Sequence, residues 1–325
     1  MKPTSFTFPL TPAQREKIRQ VVANGNYRLR EVSHAVLAAE GNKCQITLYN
    51  SGKLLVQGGG AADWVTFVLE PEVLGTARLG YEDVLNPEAI APHMGVDESG
   101  KGDFFGPLVI AAAYVDPKLV TAFRELNVRD SKTLSSDRVA EKMADDIRRL
   151  LGRRFSLVVI GPGAYNRLYA QIGNVNRLLA WGHARAIENL LAEVPDCPRA
   201  LSDQFGPKHR IEHALHKRGL KIKLDQRHKA ESDPAVAAAS VLARAGFLKG
   251  LRELGQRYAI TLPKGASDKV QEVAKSLIKK HGPTVLNEVA KCHFKTTDSV
   301  LGALNFDRSS LAQTTQSEDS LEEEL

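Results

Sequence analysis

The chain has 325 residues, 43% of them apolar and 25% charged, with a formal net charge of +6. That length exceeds the usual single domain and carries enough apolar material for ordinary cores, so two domains are expected. The tail from Asp307 on holds six acids against Arg308 and so carries −5, which leaves +11 on residues 1–306, a balance that fits a binder of polyanions as well as simple solubility. Cys44, Cys197 and Cys292 form no C-x-x-C pair, so neither a zinc knuckle nor a disulfide framework is expected, and the expected compartment is the reducing cytoplasm. The first residues lack the apolar core of a signal peptide, and no run reaches the roughly 18 apolar residues of a membrane span.

In chain order, Thr11 as N-cap, Pro12 at the first helical position and Gln14 three residues on start a helix with Ile18, Val21 and Val22 on one face. Strands follow at 35–39, 45–49 and 53–57, with tight turns at Gly41-Asn42 and Ser51-Gly52. Residues 61–69 return to helix after Gly58-Gly59-Gly60. These pieces predict a compact α+β module over residues 1–80. Lys2, Arg15, Lys17, Arg19, Arg28, Arg30, Lys43 and Lys53 stand there against Glu16, Glu31 and Glu40, so its one-sided sheet either lies against a duplex or is a solvated surface. Residues 81–92, with Pro87 and Pro92, read as a linker.

Residues 93–306 then alternate strand and helix: strands at 94–96, 108–115, 155–160, 199–202 and 220–224, helices at 137–150, 164–194 and 234–254. This is an α/β layered pattern with acids at strand ends, where open α/β sheets place their sites. Residues 307–325 are polar and acidic and predict a disordered tail.

The most informative stretch is Gly95-Val96-Asp97-Glu98-Ser99-Gly100-Lys101-Gly102-Asp103. It nearly spells a phosphate-cradling nucleotide loop. However, Gly102 stands where a Ser or Thr should meet magnesium, and two acids would repel phosphate unless a cation intervened. Pro107-Leu108-Val109-Ile110-Ala111 reads as a strand, where a nucleotide loop opens a helix. Two adjacent carboxylates at the end of an apolar segment point instead to metal ions and a phosphate chain. Asp203 closes the run 199–202, and Glu231 precedes the small-residue helix Pro234-Ala235-Val236-Ala237-Ala238-Ala239-Ser240. Asp233, directly before Pro234, has a structural explanation as a helix cap, so Glu231 is favoured for metal chemistry. Oxygen donors without His or Cys select magnesium or manganese over zinc. A pair of such ions can activate water and stabilise the leaving oxygen of a phosphodiester.

These residues resemble the type 2 ribonucleases H, and specifically the ribonuclease HIII branch. The similarity runs through 95–107, Asp130-Ser131-Lys132-Thr133-Leu134, Tyr165-Asn166, Asn174-Val175-Asn176 and 179–184. It continues through Asp203-Gln204-Phe205, Lys229-Ala230-Glu231, 237–240, Leu262-Pro263-Lys264-Gly265-Ala266 and His293-Phe294-Lys295-Thr296. It is close over 93–300 and weaker over 1–80. The resemblance implies an α/β, ribonuclease H-like catalytic domain (93–306) preceded by a small TATA-binding-protein-like α+β domain (1–80). It also implies a divalent-metal endonuclease that cuts the RNA strand of RNA–DNA hybrids, leaving a 3′-hydroxyl and a 5′-phosphate. Asp97, Glu98, Asp203 and Glu231 then form the catalytic and metal-binding set for Mg2+ or Mn2+. Lys101 and Glu231, where the sister HII branch usually has Arg and Asp, favour HIII.

Only a 2′-hydroxyl separates RNA from DNA at a nucleotide, and the glycine-flanked backbone of Ser99, Gly100, Lys101 and Gly102 can approach it closely. Lys101 adds a phosphate contact, and Lys132 either does the same or is a solvated lysine after a turn. His183, Trp181, Tyr165 and Tyr169 read as packing residues, and nothing assigns His293 a role. The alternative, a noncatalytic nucleic-acid binder of the same fold, has no reason to hold four carboxylates beside a phosphate path. The expectation is a cytoplasmic monomer with an RNA–DNA hybrid as partner, no membrane and no obligate protein partner.

Overall fold

A computed structural model describes residues 4–75, 87–128, 130–203, 207, 209–216, 222–227 and 230–312, with the side chains at 209, 210, 214, 216 and 231 outside that set. The chain forms two compact units, Met1–Ile90 and Ala91–Leu325.

The first unit contains β1 (Ser5–Pro9), α1 (Pro12–Asn24), β2 (Arg28–Leu29), β3 (Ala35–Gly41), β4 (Cys44–Tyr49), β5 (Lys53–Gln57) and α2 (Ala61–Trp64). Its antiparallel sheet has the order β1-β5-β4-β3-β2. The α1 start is the expected capping box: Gln14 N donates to Thr11 Oγ1 at 3.3 Å, and Thr11 N donates to Gln14 Oε1 at 3.0 Å. Alternation along β4 buries Cys44, Ile46 and Leu48 against α1 and α2, and leaves Gln45 on the outer face. The helix expected over 61–69 runs longer. After α2 it widens into a π-helix, Val65–Leu74, with Pro71 inside, and stops at Gly75 in the left-handed region.

The second unit is built on β6 (His93–Ser99), β7 (Leu108–Val115), β8 (Phe155–Ile160), β9 (Arg199–Asp203) and β10 (Lys223–Arg227), in the order β10-β9-β6-β7-β8. β9 runs parallel to β6 and β10, while β7 is antiparallel to β6 and β8. The helices are α3 (Pro117–Glu125), α4 (Asp137–Leu151), α5 (Pro162–Ile172), α6 (Val175–Glu193), α7 (His209–His216), α8 (Pro234–Arg257), α9 (Asp268–His281), α10 (Leu286–Val289) and α11 (Lys295–Gly302). β6 and β9 are longer than expected, so Asp97, Glu98 and Asp203 lie within strands rather than beyond them. The single helix expected over 164–194 is two. Gly173 at φ 67° ends α5, and Asn174 Oδ1 caps α6 by accepting from Asn176 N at 2.9 Å and Arg177 N at 3.2 Å. The expected strand at 220–224 begins at Lys223, and residues 220–221 lie outside the described residues.

Two helices sandwich this sheet. Alternation along β6 turns Met94, Val96 and Glu98 toward α6, and Gly95, Asp97 and Ser99 toward α8. On the α6 side Met94, Val96 and Ile110 pack with Leu178, Leu179, Ile187 and Leu190 in the main core. On the α8 side the alanines let the helix come so close that a Cβ on Gly95 would lie 2.2 Å from Val236 N and 2.3 Å from Ala235 C. Those are backbone atoms, so only glycine fits at 95. The expectation that no run has the length and apolarity of a membrane span needs correction: among the described residues α8 passes that test by length and composition. Most of that stretch is buried in the fold, as the central helix of a packed core.

The first residues of the expected disordered tail, 307–312, are structured instead. Asp307 Oδ1 accepts from Ser309 N at 2.8 Å and caps a turn at Arg308–Leu311, and Arg308 bonds to Asp298 at 2.7 Å and to the Cys292 carbonyl at 2.9 Å. Residues 313–325 lie outside the described residues, as do residues 81–86 of the expected linker.

Candidate active site

The parallel register Met94↔Ala200, Gly95↔Leu201 and Val96↔Ser202 leaves Asp97 and Asp203 each one residue past the last pair, at the same level on neighbouring strands. Leu201 packs with Ala230 and Val236, so alternation puts Asp203 on the α8 face, the side that Asp97 also faces. Glu98 points to the other face. Each of these three acids is half-buried.

Asp97 Oδ1 accepts the backbone N–H of Glu98 at 2.8 Å, and Ser240 of α8 is a further hydrogen-bond partner. Burial first, and then the charge of Glu98, raise the Asp97 carboxyl to about 7. For Glu98 burial also works upward, but it is outweighed. His183 Nε2 lies 3.1 Å from Oε2 and Lys101 Nζ lies 3.7 Å from Oε1; with Lys132 these hold the carboxyl below its ordinary value. Among the described residues no three His, Cys, Asp or Glu side chains stand together closely enough to hold a metal ion unaided. The donor chemistry nevertheless fits a hard divalent cation: the donors are all carboxylates, and the rise that burial and Glu98 impose on one of them is what a bound positive charge offsets.

The Asp130-Ser131-Lys132 turn is fastened beside this pair. Ser240 Oγ is 3.0 Å from Asp130 Oδ1 and 2.8 Å from Ser131 Oγ, and Arg244 donates to the Ser131 carbonyl. Arg244 and Lys264 both pair with Asp137, at 2.7 and 2.6 Å, which ties the start of α4 to the same helix. Lys132 is exposed, within electrostatic reach of Glu98. The glycine loop leaves β6 with Gly100 at φ 89°, where a Cβ would meet the Pro107 carbonyl at 2.3 Å, while the space around Gly102 is open. Ser99, Gly100, Lys101 and Gly102 thus follow the acids directly, and Lys132 reaches them from a separate element.

Asp233 has a full structural occupation. Its Oδ1 accepts from Ala235 N at 2.9 Å and Val236 N at 3.4 Å, capping α8, and its two oxygens lie 2.9 and 3.1 Å from His93 Nε2. His93 is fully buried, with Nδ1 2.7 Å from the Ala91 carbonyl. The side chain of Glu231 lies outside the described residues; its backbone belongs to the turn Ala230–Ser232, which Ala230 packs against Leu201. Asp233→Ala is therefore expected to cost about 2 kcal/mol of stability, from the lost cap and an unpaired His93. It should change the cleavage rate little, whereas Glu231→Gln should be nearly inactive and normally stable. Urea melts and single-turnover rates on both variants check this, and the opposite ranking would make Asp233 the fourth acid.

His183 is the main residue that sequence reasoning undervalued. It is fully buried, as a packing residue would be, yet it also hydrogen-bonds Glu98. Its place on the buried stripe of α6 was readable; the strand residue it meets, 85 positions away, was not. Tyr165, Tyr169 and Trp181 do pack against the main core. His293 lies tilted against the stacked pair Tyr165 and Tyr169, its ring centroid 5.4 and 4.5 Å from theirs, and burial, with Lys291 and Arg308, lowers its imidazole to about 4.

A mixed sheet of this order, covered by a helix on each face and carrying carboxylates level on adjacent parallel strands, defines a ribonuclease H-like domain. The sequence model of the family described as ribonuclease HII matches residues 94–297, and that of a domain of unknown function, DUF3378, matches residues 6–73. The chain belongs to the ribonuclease HII family, in its ribonuclease HIII branch. It is 40% identical over 287 residues to ribonuclease HIII of Protochlamydia amoebophila (strain UWE25), covering 88% of this chain and 93% of that one. It is 39% identical over 305 residues to ribonuclease HIII of Chlamydia trachomatis serovar L2, covering 93% and 99%. The crystal structure of Bst ribonuclease HIII in complex with Mn2+ superposes with a TM-score of 0.65 at 27% identity, covering 92% of this chain and 99% of that one. The protein is thus a metal-dependent endoribonuclease of the ribonuclease H class, a family that acts on RNA–DNA hybrids.

Proposed function

We propose that the chain hydrolyses the RNA strand of RNA–DNA hybrids with Asp97, Glu98, Asp203 and Glu231 holding two divalent cations, Mg2+ or Mn2+, and leaves a 3′-hydroxyl and a 5′-phosphate. The observation that carries this reading is the half-buried Asp97–Glu98 pair, level with Asp203 on the neighbouring parallel strand. Burial and the neighbouring Glu98 charge both disfavour the ionised Asp97 carboxylate, and a cation is the charge that relieves it. When bound, the ions supply an activated water and stabilise the leaving oxygen.

The chain's own residues do the rest. The Glu98 amide and Ser240 orient Asp97, and the His183 imidazole fixes Glu98. The open backbone at Gly102, beside Gly100, gives the hybrid close access for hydrogen bonding to a 2′-hydroxyl. Lys101 and Lys132 bring positive charge beside the acids for the flanking phosphates. A protein that only bound nucleic acid would gain nothing from carboxylates at that place. The reading includes action as a cytoplasmic monomer. Product analysis tests it: cleaved RNA should prime a polymerase directly and carry a ligatable 5′-phosphate. A 2′,3′-cyclic phosphate would mean that the 2′-hydroxyl is the nucleophile and would overturn the scheme.

A further inference from the structure

Lys291 lies between α10 and α11 with no exposed surface, an expensive place for an ammonium. Its Nζ donates to the carbonyls of Gly106 at 2.6 Å and Phe105 at 3.3 Å. Burial lowers the ammonium to about 7, with Asp103 acting in the opposite direction. Around it the backbone repeats the connection: Lys291 N donates to the Phe104 carbonyl at 2.8 Å, Gly106 N to the Val289 carbonyl at 3.0 Å, and Phe105 pairs with Ala290. From the other side Asn166 grips the same segment, Nδ2 donating to the Ala290 carbonyl at 2.9 Å and Oδ1 accepting from Cys292 N at 2.9 Å. Residues 289–292 are thus a strut fixed on two sides, and the returning limb of the glycine loop hangs on it.

We infer that Lys291 is a positioning residue for hybrid binding: it holds Phe105 and Gly106, and through them sets where the backbone of Gly100, Lys101 and Gly102 stands for the substrate. The inference rests on the reading that this loop meets the hybrid. The acids sit on β6, in register with β7 and β9, and do not depend on the strut. Lys291 therefore governs how well the hybrid is held rather than the chemical step.

Lys291→Met keeps the length of the side chain and removes its donors, leaving two carbonyls without this partner. KM for a long hybrid is expected to rise about tenfold with kcat nearly unchanged. An unchanged KM in protein that circular dichroism shows to be folded would overturn the inference. If Lys291→Met does not fold, Lys291→Gln, which keeps a neutral donor one atom shorter, takes its place with a smaller rise expected, and an unchanged KM again overturns it. Hydrogen exchange on the wild-type full chain needs no variant: the amides of Gly106 and Lys291, which donate across the strut to Val289 and Phe104, should exchange equally slowly, and markedly faster exchange at Gly106 would contradict the strut. Lys101→Ala separates the two claims. If both variants leave KM unchanged, the loop is not the substrate contact; if Lys101→Ala raises KM while Lys291→Met does not, the positioning role alone fails.

Discussion

Asp97→Asn is expected to reduce cleavage by at least about a thousandfold while leaving hybrid affinity in chelator within a small factor of wild type. Asn keeps the shape of the carboxylate and can still accept the Glu98 amide, so the local backbone should not move. It cannot supply the negative charge that holds a divalent ion. The substitution should also leave the metal-free protein no less stable. Burial and the Glu98 charge raise the Asp97 carboxyl, so its ionised form is a cost to the folded state above the ordinary carboxylate range, and a neutral amide removes that cost. Loss of activity together with undiminished stability is the signature of a metal ligand rather than of a fold element. Single-turnover cleavage, hybrid binding in chelator and urea melts measure the three quantities. More than a few per cent of activity in saturating magnesium would remove Asp97 from the metal set.

Deletion of residues 1–90 is the second large effect: hybrid affinity should fall substantially and its salt dependence should flatten, while kcat at saturating substrate falls less. The first unit has its own core and a sheet with one polar face, and Arg28, Arg30, Lys43 and Lys53 lie on its strands and turns. Every phosphate that this unit neutralises in the full chain should take about 0.9 with it from the slope of log affinity against log salt. The second unit keeps its whole five-stranded sheet and its main core, so it is expected to fold alone, as circular dichroism can check. Binding in chelator at several salt concentrations, full chain against deletion, gives the answer. Equal affinities and equal slopes would return the basic residues to a solvated surface.

The features of this site that were legible in the sequence are local ones. The capping box at Thr11, the cap at Asp233, the strand after Pro107 and the close-packing alanines of α8 each depend on residues within one turn or one strand of each other, and each stands in the structure. The division at Gly173-Asn174 was also legible, as a glycine that ends one helix followed by an asparagine that caps the next, but the apolar periodicity running across it masked the break. β1 was hidden for another reason: it is five residues ending in proline, and its partner β5 lies about fifty positions on. The contacts that tune the acids are wholly tertiary. His183 meets Glu98 because α6 crosses one face of β6, Ser240 meets Asp97 because α8 crosses the other, and Lys291 meets Gly106 across 185 positions. Adjacent acids on a strand must face opposite ways, and that much could have been read at once; which helix lay on each side could not.

The most direct test is one cleavage gel with the full chain on four end-labelled substrates: a long RNA–DNA hybrid, a duplex with a single ribonucleotide, duplex DNA and duplex RNA, each with magnesium, with manganese and with chelator. The account predicts cutting at many positions in the RNA strand of the hybrid in at least one of the metals, little or none at the single ribonucleotide, none on duplex DNA or duplex RNA, and none anywhere with chelator. Hybrid cleavage that survives chelator, or a folded protein that leaves the hybrid intact in both metals, would contradict it.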